Sequence, residues 1–472
     1  MNRIAVINRI GGINKISDLF KYEIKPLFRL AWPVMLSRVG MLSLVIVDTI
    51  MVGRYATQEL AYLGIGQVPS AICLLLIIGL LMGTLVMVSK HYGAGRDDEC
   101  GTVWWHSLPF AVGIGLLGLF ICWQGEYLLL ALGQTPSIAA PAGRVSFILG
   151  LTLPFVALQM TTGFFLEGIH KPVPVLLATF IANILNIFFN ALFIYGSFGM
   201  PQMGAEGSAW ATLIVRIIQV FILIIYVWFM AAHKRFGVRK HSLLDLLINW
   251  RANWQASREQ RRIGYAAGVS MGIENTAFNA LMLFAGLISA YAIASYTIML
   301  NVFIMFLMFG FGIATATAVR VGNAFGAGAL SSMLRSSWVG LGVQMVFMLV
   351  SGLLLFTYGT ALASFFTKEA DVIFMAQALL RYASIALIMS AGQLLMSQIL
   401  RARGENWVIT GLQFVSFALV MVPIAWVAIF VLDRGVFGLV DGLLVGTSLA
   451  FILGLWRFIY LARRDAVLGL QT

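Results

Sequence analysis

Twelve long runs of apolar residues constrain the fold of this chain more than any other feature of its sequence. A helix needs about 20 apolar residues to cross a membrane, because the hydrocarbon core is roughly 30 Å thick and each residue adds about 1.5 Å. The runs are continuously apolar and do not alternate every second residue, so they predict helices. The predicted spans lie near residues 27–53, 60–89, 102–124, 136–167, 173–196, 206–231, 263–288, 293–321, 334–359, 372–401, 406–432 and 438–461.

The composition indicates an integral membrane protein and excludes other classes. Hydrophobic residues make up 60% of the chain and charged residues 11%, which is more apolar surface than a soluble core could bury. The net charge of +12 is confined to short loops, so we predict no nucleic-acid partner. Cys73, Cys100 and Cys122 lack the spacing of a disulfide framework or a metal site. We therefore expect membrane lipid around the chain and no cofactor.

The distribution of basic residues predicts the orientation of the spans. Most of the 31 lysines and arginines lie in loops that are internal if both termini are cytoplasmic. Residues 1–25 are basic and lack both a long apolar stretch and a cleavage pattern, so we expect no cleaved signal peptide. These features are typical of a bacterial inner (plasma) membrane protein.

The longest loop, residues 233–262, separates the spans into six and six. Apolar residues recur in it at near-helical spacing among basic ones, which predicts an amphipathic helix on the cytoplasmic membrane face. These apolar residues are Leu243, Leu244, Leu247, Trp250 and Trp254. The predicted organisation is a cytoplasmic segment (1–26), an N-terminal lobe (27–231), the interlobe loop (232–262), a C-terminal lobe (263–462) and a cytoplasmic tail (463–472).

Two matches about half a chain length apart indicate an internal repeat. HYGAG at 91–95 recurs as AFGAG at 324–328, and GAEGSAWAT, which contains Thr212, resembles GLVDGLLVGT, which contains Thr447. Each half has an even number of spans, so the repeats run parallel, as in transporters with a midplane site. The predicted fold class is all-α integral membrane, with twelve transmembrane helices in two parallel-repeat six-helix lobes around a central cavity.

Two carboxylates lie inside predicted spans and away from their ends, Asp48 in the first and Glu274 in the seventh. A carboxylate in an apolar span is costly unless it faces a protein-lined or wet interior, so each is a candidate functional residue. In the fifth span, Asn183, Asn186 and Asn190 form one polar stripe. Such amides either accompany a functional carboxylate or join helices by hydrogen bonds, and the spacing does not separate the two.

Several segments resemble the multidrug and toxic compound extrusion (MATE) family, in particular its NorM-like branch. The most specific are VDTIMVG around Asp48 and GFGIATATAVRVGNAFGAG, nine residues after Asn301. The resemblance covers nearly the whole chain after about residue 25. It implies a secondary active transporter, not an enzyme, that exports small organic, often cationic or amphipathic compounds in exchange for H⁺ or Na⁺ by alternating access. We expect a monomer.

The resemblance also implies roles for particular residues. Asp48 matches the first-helix carboxylate that the family uses for coupling, and Asn186 and Asn190 lie on the neighbouring fifth helix. Glu274 resembles a cation-binding glutamate, so a Na⁺ ion could bind at Asp48 or at Glu274. This chain departs from some relatives in having Asn190 in place of an aspartate, and its tenth span has no aspartate.

Other polar residues in or near the spans are candidates for a substrate cavity. Ordinary packing between helices is the alternative interpretation for each of them. They are Asn183, Thr212, Asn275, Asn279, Tyr296, Asn301 and Gln393. No catalytic constellation is visible, which argues against an enzyme. The remaining alternatives are a flippase for a lipid-linked precursor and a channel, but the first calls for a more cationic cavity and the second for a pore-lining polar ring.

Overall fold

The structure is a computed structural model that describes residues 20–240 and 248–467. Within these ranges it is helical, and twelve helices are long and apolar enough to cross a membrane. The predicted all-helical architecture with twelve spans is thus confirmed. The helices are α1 (Lys25–Tyr55), α2 (Thr57–Gly93), α3 (Asp97–Trp123), α4 (Pro136–Gly168), α5 (Val173–Ile194), α6 (Gly204–Phe229), α7 (Arg258–Ile288), α8 (Ala290–Gly326), α9 (Leu330–Ser364), α10 (Ala370–Arg403), α11 (Asn406–Phe430) and α12 (Phe437–Val467).

The chain forms two compact units. The N-terminal unit comprises residues 36–92 and 96–268, and the described part of the C-terminal unit comprises residues 20–35, 93–95 and 269–467. Helix α1 therefore contributes its first turns to the C-terminal unit and the rest, which carries Asp48, to the N-terminal unit. The lobe boundaries inferred from the apolar runs stay a prediction.

In the N-terminal unit, α4 packs against α3 and α6, and α5 packs against α6. Aromatic side chains fill its interior, where Trp104 lies 5.4 Å from Trp105 and 5.7 Å from Phe165, measured between ring centroids. The Trp105 indole donates a hydrogen bond of 2.5 Å to the carbonyl of Val238. This bond fixes the chain that follows α6 against the start of α3.

In the C-terminal unit, α10 is the central helix and packs against α8, α9 and α12. A buried ion pair joins α8 to the short π-helical stretch Phe20–Ile24 that precedes α1, because Arg320 donates to both the carbonyl and the carboxylate of Glu23. Helix α11 is irregular, since residues Phe414–Met421 form a π-helical stretch just before Pro423. Proline lacks a backbone N–H, and a π stretch is one way for neighbouring backbone groups to adjust.

The sequence repeat reappears as matching loop geometry. Gly95 ends α2 with φ of 74°, and Gly328 ends α8 with φ of 71°. In both loops the next residue donates to a carbonyl five residues back, at 3.0 Å from Arg96 and 2.9 Å from Ala329. Only glycine adopts this left-handed conformation without steric cost, and the paired bonds satisfy carbonyls that a helix end leaves free. The repeated glycines are therefore helix caps.

The segment between α6 and α7 is only partly described. Residues 230–240 form a series of turns, and a short helix spans Trp250–Ala256. Leu243, Leu244 and Leu247, on which the predicted amphipathic helix also depends, lie outside the described residues.

Candidate functional site

Asp48 lies in a cluster of hydrogen bonds inside the N-terminal unit. Its Oδ1 accepts from the side-chain amides of Asn186 at 3.0 Å and Asn190 at 2.6 Å, and its Oδ2 accepts from the Thr212 hydroxyl at 2.9 Å. The two asparagines are fully buried, whereas Asp48 is partly exposed. The structure thus brings together one carboxylate and three donors from α1, α5 and α6.

The asparagine stripe of α5 explains this arrangement. Residues three and four apart lie on one helical face, so Asn186 and Asn190 both reach Asp48. Asn183, one turn earlier, donates instead to the carbonyl of Gly40 at 2.9 Å. A Cβ atom on Gly40 would lie 2.8 Å from the Thr179 methyl group, so α1 approaches α5 closely at this point. Asn183 thus joins α5 to α1 by a hydrogen bond to the backbone, whereas Asn186 and Asn190 contact the carboxylate, and the functional interpretation of these two stays a prediction.

One buried oxygen atom of this cluster, the side-chain carbonyl of Asn190, has no hydrogen-bond partner within the described ranges. The Ser208 hydroxyl, one helical turn before Thr212, is a further polar group that acts on Asp48. Buried polar atoms without partners are rare in native proteins and call for a water or a ligand. A small hard cation binds carboxylate, amide and hydroxyl oxygens. The oxygen atoms around Asp48, from carboxylate, amide and hydroxyl groups, are of the kind that binds Na⁺, and the carboxylate can also take up a proton.

An arginine lies in the same polar region. Arg216, one turn after Thr212 on α6, is buried and interacts electrostatically with Asp48. Its Nη1 donates to Gln219 Oε1 at 3.2 Å, and the Gln219 amide donates to the Thr179 hydroxyl at 3.2 Å. Arg216 falls inside the sixth apolar run, 206–231, but nothing in its local sequence indicates these partners.

A second buried carboxylate of the N-terminal unit, Glu167, is absent from the sequence-based candidates. The Arg38 Nη2 atom lies 3.2 Å from both of its oxygens. Their side chains are 8% and 2% exposed, and the guanidinium lies 5.6 Å from the centre of the Phe164 ring. Glu167 falls near the end of its apolar run, which is the signal that could have revealed it.

In the C-terminal unit, Glu274 lies near a buried arginine. Arg401, near the end of α10, is 2% exposed and interacts electrostatically with Glu274. The Arg401 Nη2 atom donates to Gln413 Oε1 on α11 at 3.2 Å. One turn before Glu274, the Ser270 hydroxyl donates to the Thr410 hydroxyl at 3.0 Å, which holds α7 against α11. The Glu274 side chain makes no hydrogen bond or ion pair with another described residue.

The structure does not bring the other candidates to either carboxylate. Asn279 and Asn301 are exposed and donate to carbonyls of their own helices, those of Asn275 and Thr297. Tyr296 and Gln393 are buried, and the Tyr296 hydroxyl and the Gln393 amide nitrogen lack partners among the described residues. Their assignment to a substrate cavity stays a prediction.

Comparison with known proteins decides the family. A family model named MatE matches residues 33–192 and 266–427, one stretch in each half of the chain. The chain belongs to the MATE family. MATE proteins are transporters, which confirms the prediction of a transporter over that of an enzyme. The two matched stretches also agree with the repeat seen in the sequence and in the helix caps.

Individual relatives and structures agree with this assignment. A "Probable multidrug resistance protein NorM" of Caulobacter vibrioides is 36% identical over 93% of this chain and 92% of its own length. Another protein of that name, from Mesorhizobium japonicum, is 28% identical over 83% of this chain and 84% of its own. The crystal structure of the eukaryotic MATE transporter AtDTX14 has a TM-score of 0.86 at 18% identity, covering 94% of this chain and 98% of its own. The chain is thus an integral membrane protein with the MATE fold.

Proposed function

We propose that this MATE protein is a secondary active multidrug efflux antiporter. It exports small organic compounds, cationic or amphipathic, in exchange for H⁺ or Na⁺ by alternating access. The bacterial relatives named as multidrug resistance proteins support the substrate class. The chain itself supports the exchange of a cation, because a polar cluster around one carboxylate lies within an otherwise apolar bundle.

The single observation that carries this proposal is the environment of Asp48. Three side-chain donors stabilise its ionised form, while its position among apolar helices penalises a charge that no cation contacts directly. The carboxylate is therefore balanced between a charged state and a state neutralised by a bound H⁺ or Na⁺. A cation binding there changes the net charge of the cluster, and such a change can bias a two-state transporter.

Glu274 gives the C-terminal unit a carboxylate of its own, and we assign it a coupling role as well. It differs from Asp48 in making no direct hydrogen bond to a described residue. It therefore has the oxygen atoms needed to bind either an exchanged cation or a positively charged substrate. Asn186 and Asn190 serve as positioning residues for Asp48 in this account.

The proposed setting is a bacterial inner membrane with both termini in the cytoplasm. The concentration of lysine and arginine in alternate loops supports this orientation. We propose that the chain works as a monomer, with no cofactor beyond the exchanged ion.

Proteoliposomes containing the purified chain and a fluorescent organic cation test this function. With an imposed pH gradient or an imposed Na⁺ gradient, applied separately, dye should move opposite to the ion. Collapsing the gradient with an ionophore should stop net transport, and liposomes without protein serve as the control. Dye movement of equal rate after the gradient has collapsed would indicate a channel and would reject antiport.

A further inference from the structure

Each unit contains the same chemical set: one carboxylate, one arginine and one glutamine. In the C-terminal unit the set is Glu274, Arg401 and Gln413, and in the N-terminal unit it is Asp48, Arg216 and Gln219. In both sets the arginine interacts electrostatically with the carboxylate but donates to the glutamine, at 3.2 Å. The two sets come from different helices, so they are not copies made by the sequence repeat.

The position of Arg401 is unusual for a buried arginine. A guanidinium that is 2% exposed normally pairs with an anion, because a buried charge without one is costly. Here it donates to a neutral amide, its Nε has no partner within the described ranges, and it forms no ion pair with a described carboxylate. The guanidinium charge is therefore buried without a paired anion.

The surroundings of Gln413 allow this arrangement to change. Gln413 is the last residue of the α-helical part of α11, and the π-helical stretch Phe414–Met421 begins directly after it. Such stretches are frequent at functional sites and are less regular than the α-helix. The bond between Ser270 and Thr410 keeps α7 and α11 together one turn away. Glu274 follows Ser270 by four residues and Gln413 follows Thr410 by three, so this contact brings together the segments of α7 and α11 that carry them.

We propose that Arg401 is a tethered counter-cation for Glu274. It rests on Gln413 while Glu274 carries an exchanged H⁺ or Na⁺, and it moves to Glu274 when that ion leaves. A resident cation that competes for the carboxylate would promote ion release and keep the Glu274 carboxylate neutralised in both states. This inference rests on the proposed antiport function and adds a residue that sets the affinity for the ion.

Two substitutions should shift ion dependence in opposite directions. In Arg401→Gln the competing charge is lost, so Glu274 should hold its ion more tightly, and the H⁺ or Na⁺ concentration for half-maximal exchange should fall about tenfold. In Gln413→Met the arginine loses its hydrogen-bond acceptor, so it should pair with Glu274 more often. The H⁺ or Na⁺ concentration for half-maximal exchange should then rise. Arg401→Lys keeps a positive charge, so its ion concentration for half-maximal exchange should stay close to that of the wild type.

The measurement is substrate exchange in proteoliposomes across a series of H⁺ and, separately, Na⁺ concentrations. Arg403→Gln is the matched control, because Arg403 lies two residues further along α10 and pairs with Asp465; its midpoint should not move. Opposite shifts in the first two variants support the inference, since general damage would not produce both. If wild type couples normally and the Arg401→Gln and Gln413→Met midpoints equal its own, the inference is wrong and antiport stands. If the wild type shows no coupling to either ion, the proposed antiport function is wrong, and the inference that rests on it is wrong with it.

Discussion

Replacing Asp48 by asparagine should abolish gradient-driven transport while leaving the protein folded. The variant keeps the shape of the side chain, and its amide oxygen can still accept from Asn186 and Asn190. It cannot carry a negative charge, however, so no H⁺ or Na⁺ is gained or lost at this position. We expect at least a roughly tenfold loss of coupled exchange, since the coupling free energy supplied by this carboxylate is removed.

The test compares initial rates of dye exchange in proteoliposomes, together with thermal unfolding in detergent. Thr49→Ala is the matched control on α1, because the Thr49 hydroxyl is exposed and donates only to the carbonyl of its own helix at Val45, at 2.8 Å. Thr49→Ala should transport normally. Full transport by Asp48→Asn under either gradient would remove Asp48 from the mechanism.

The largest effect on stability should come from breaking the ion pair between Arg38 and Glu167. Glu167→Gln removes the buried carboxylate charge that the Arg38 guanidinium contacts through both oxygens. Loss of one partner of a buried pair typically costs about 3–5 kcal/mol of unfolding free energy. A double variant with Arg38→Met and Glu167→Met should recover most of that loss, because neither charge remains.

Denaturant titration in mixed micelles measures these differences. The control is Glu206→Gln. Glu206 Oε1 lies 2.5 Å from Arg144 Nε, and the side chains of Arg144 and Glu206 are 61% and 32% exposed. An exposed pair contributes only about 0–1 kcal/mol, so this variant should remain near wild type. If Glu167→Gln is no less stable than Glu206→Gln, the buried pair does not stabilise the N-terminal unit.

The sequence was sufficient for the fold because its strongest signals are local. A span is recognised from about 20 consecutive residues, and the repeated glycines required no knowledge of distant contacts. Gly95 and Gly328 were predicted as equivalent, and the structure gives both the same left-handed conformation. The ends of the helices were predicted less well than their number. Helix α7, for example, begins at Arg258, because the backbone helix includes the polar residues 258–262 that precede the apolar run.

The site was predictable only where one helix carries its own pattern. Asn186 and Asn190 could be identified from their spacing on α5, and both contact Asp48. Contacts between distant residues leave no such mark: Arg38 and Glu167 are 129 positions apart in the chain. Arg401 was hard to predict for a different reason. It lies at the end of an apolar run, where the sequence suggests an arginine in a loop, but α10 continues to Arg403 and the Arg401 side chain is buried.

The most direct test of antiport is to drive the ion with the substrate. Proteoliposomes loaded with an organic cation, with no ion gradient imposed, are diluted into medium without it, and internal pH and Na⁺ are followed with indicator dyes. Exit of the substrate should pull H⁺ or Na⁺ inwards, only while substrate is present, and Asp48→Asn should abolish that movement. Substrate exit without any opposing ion flux in the wild type would contradict the account.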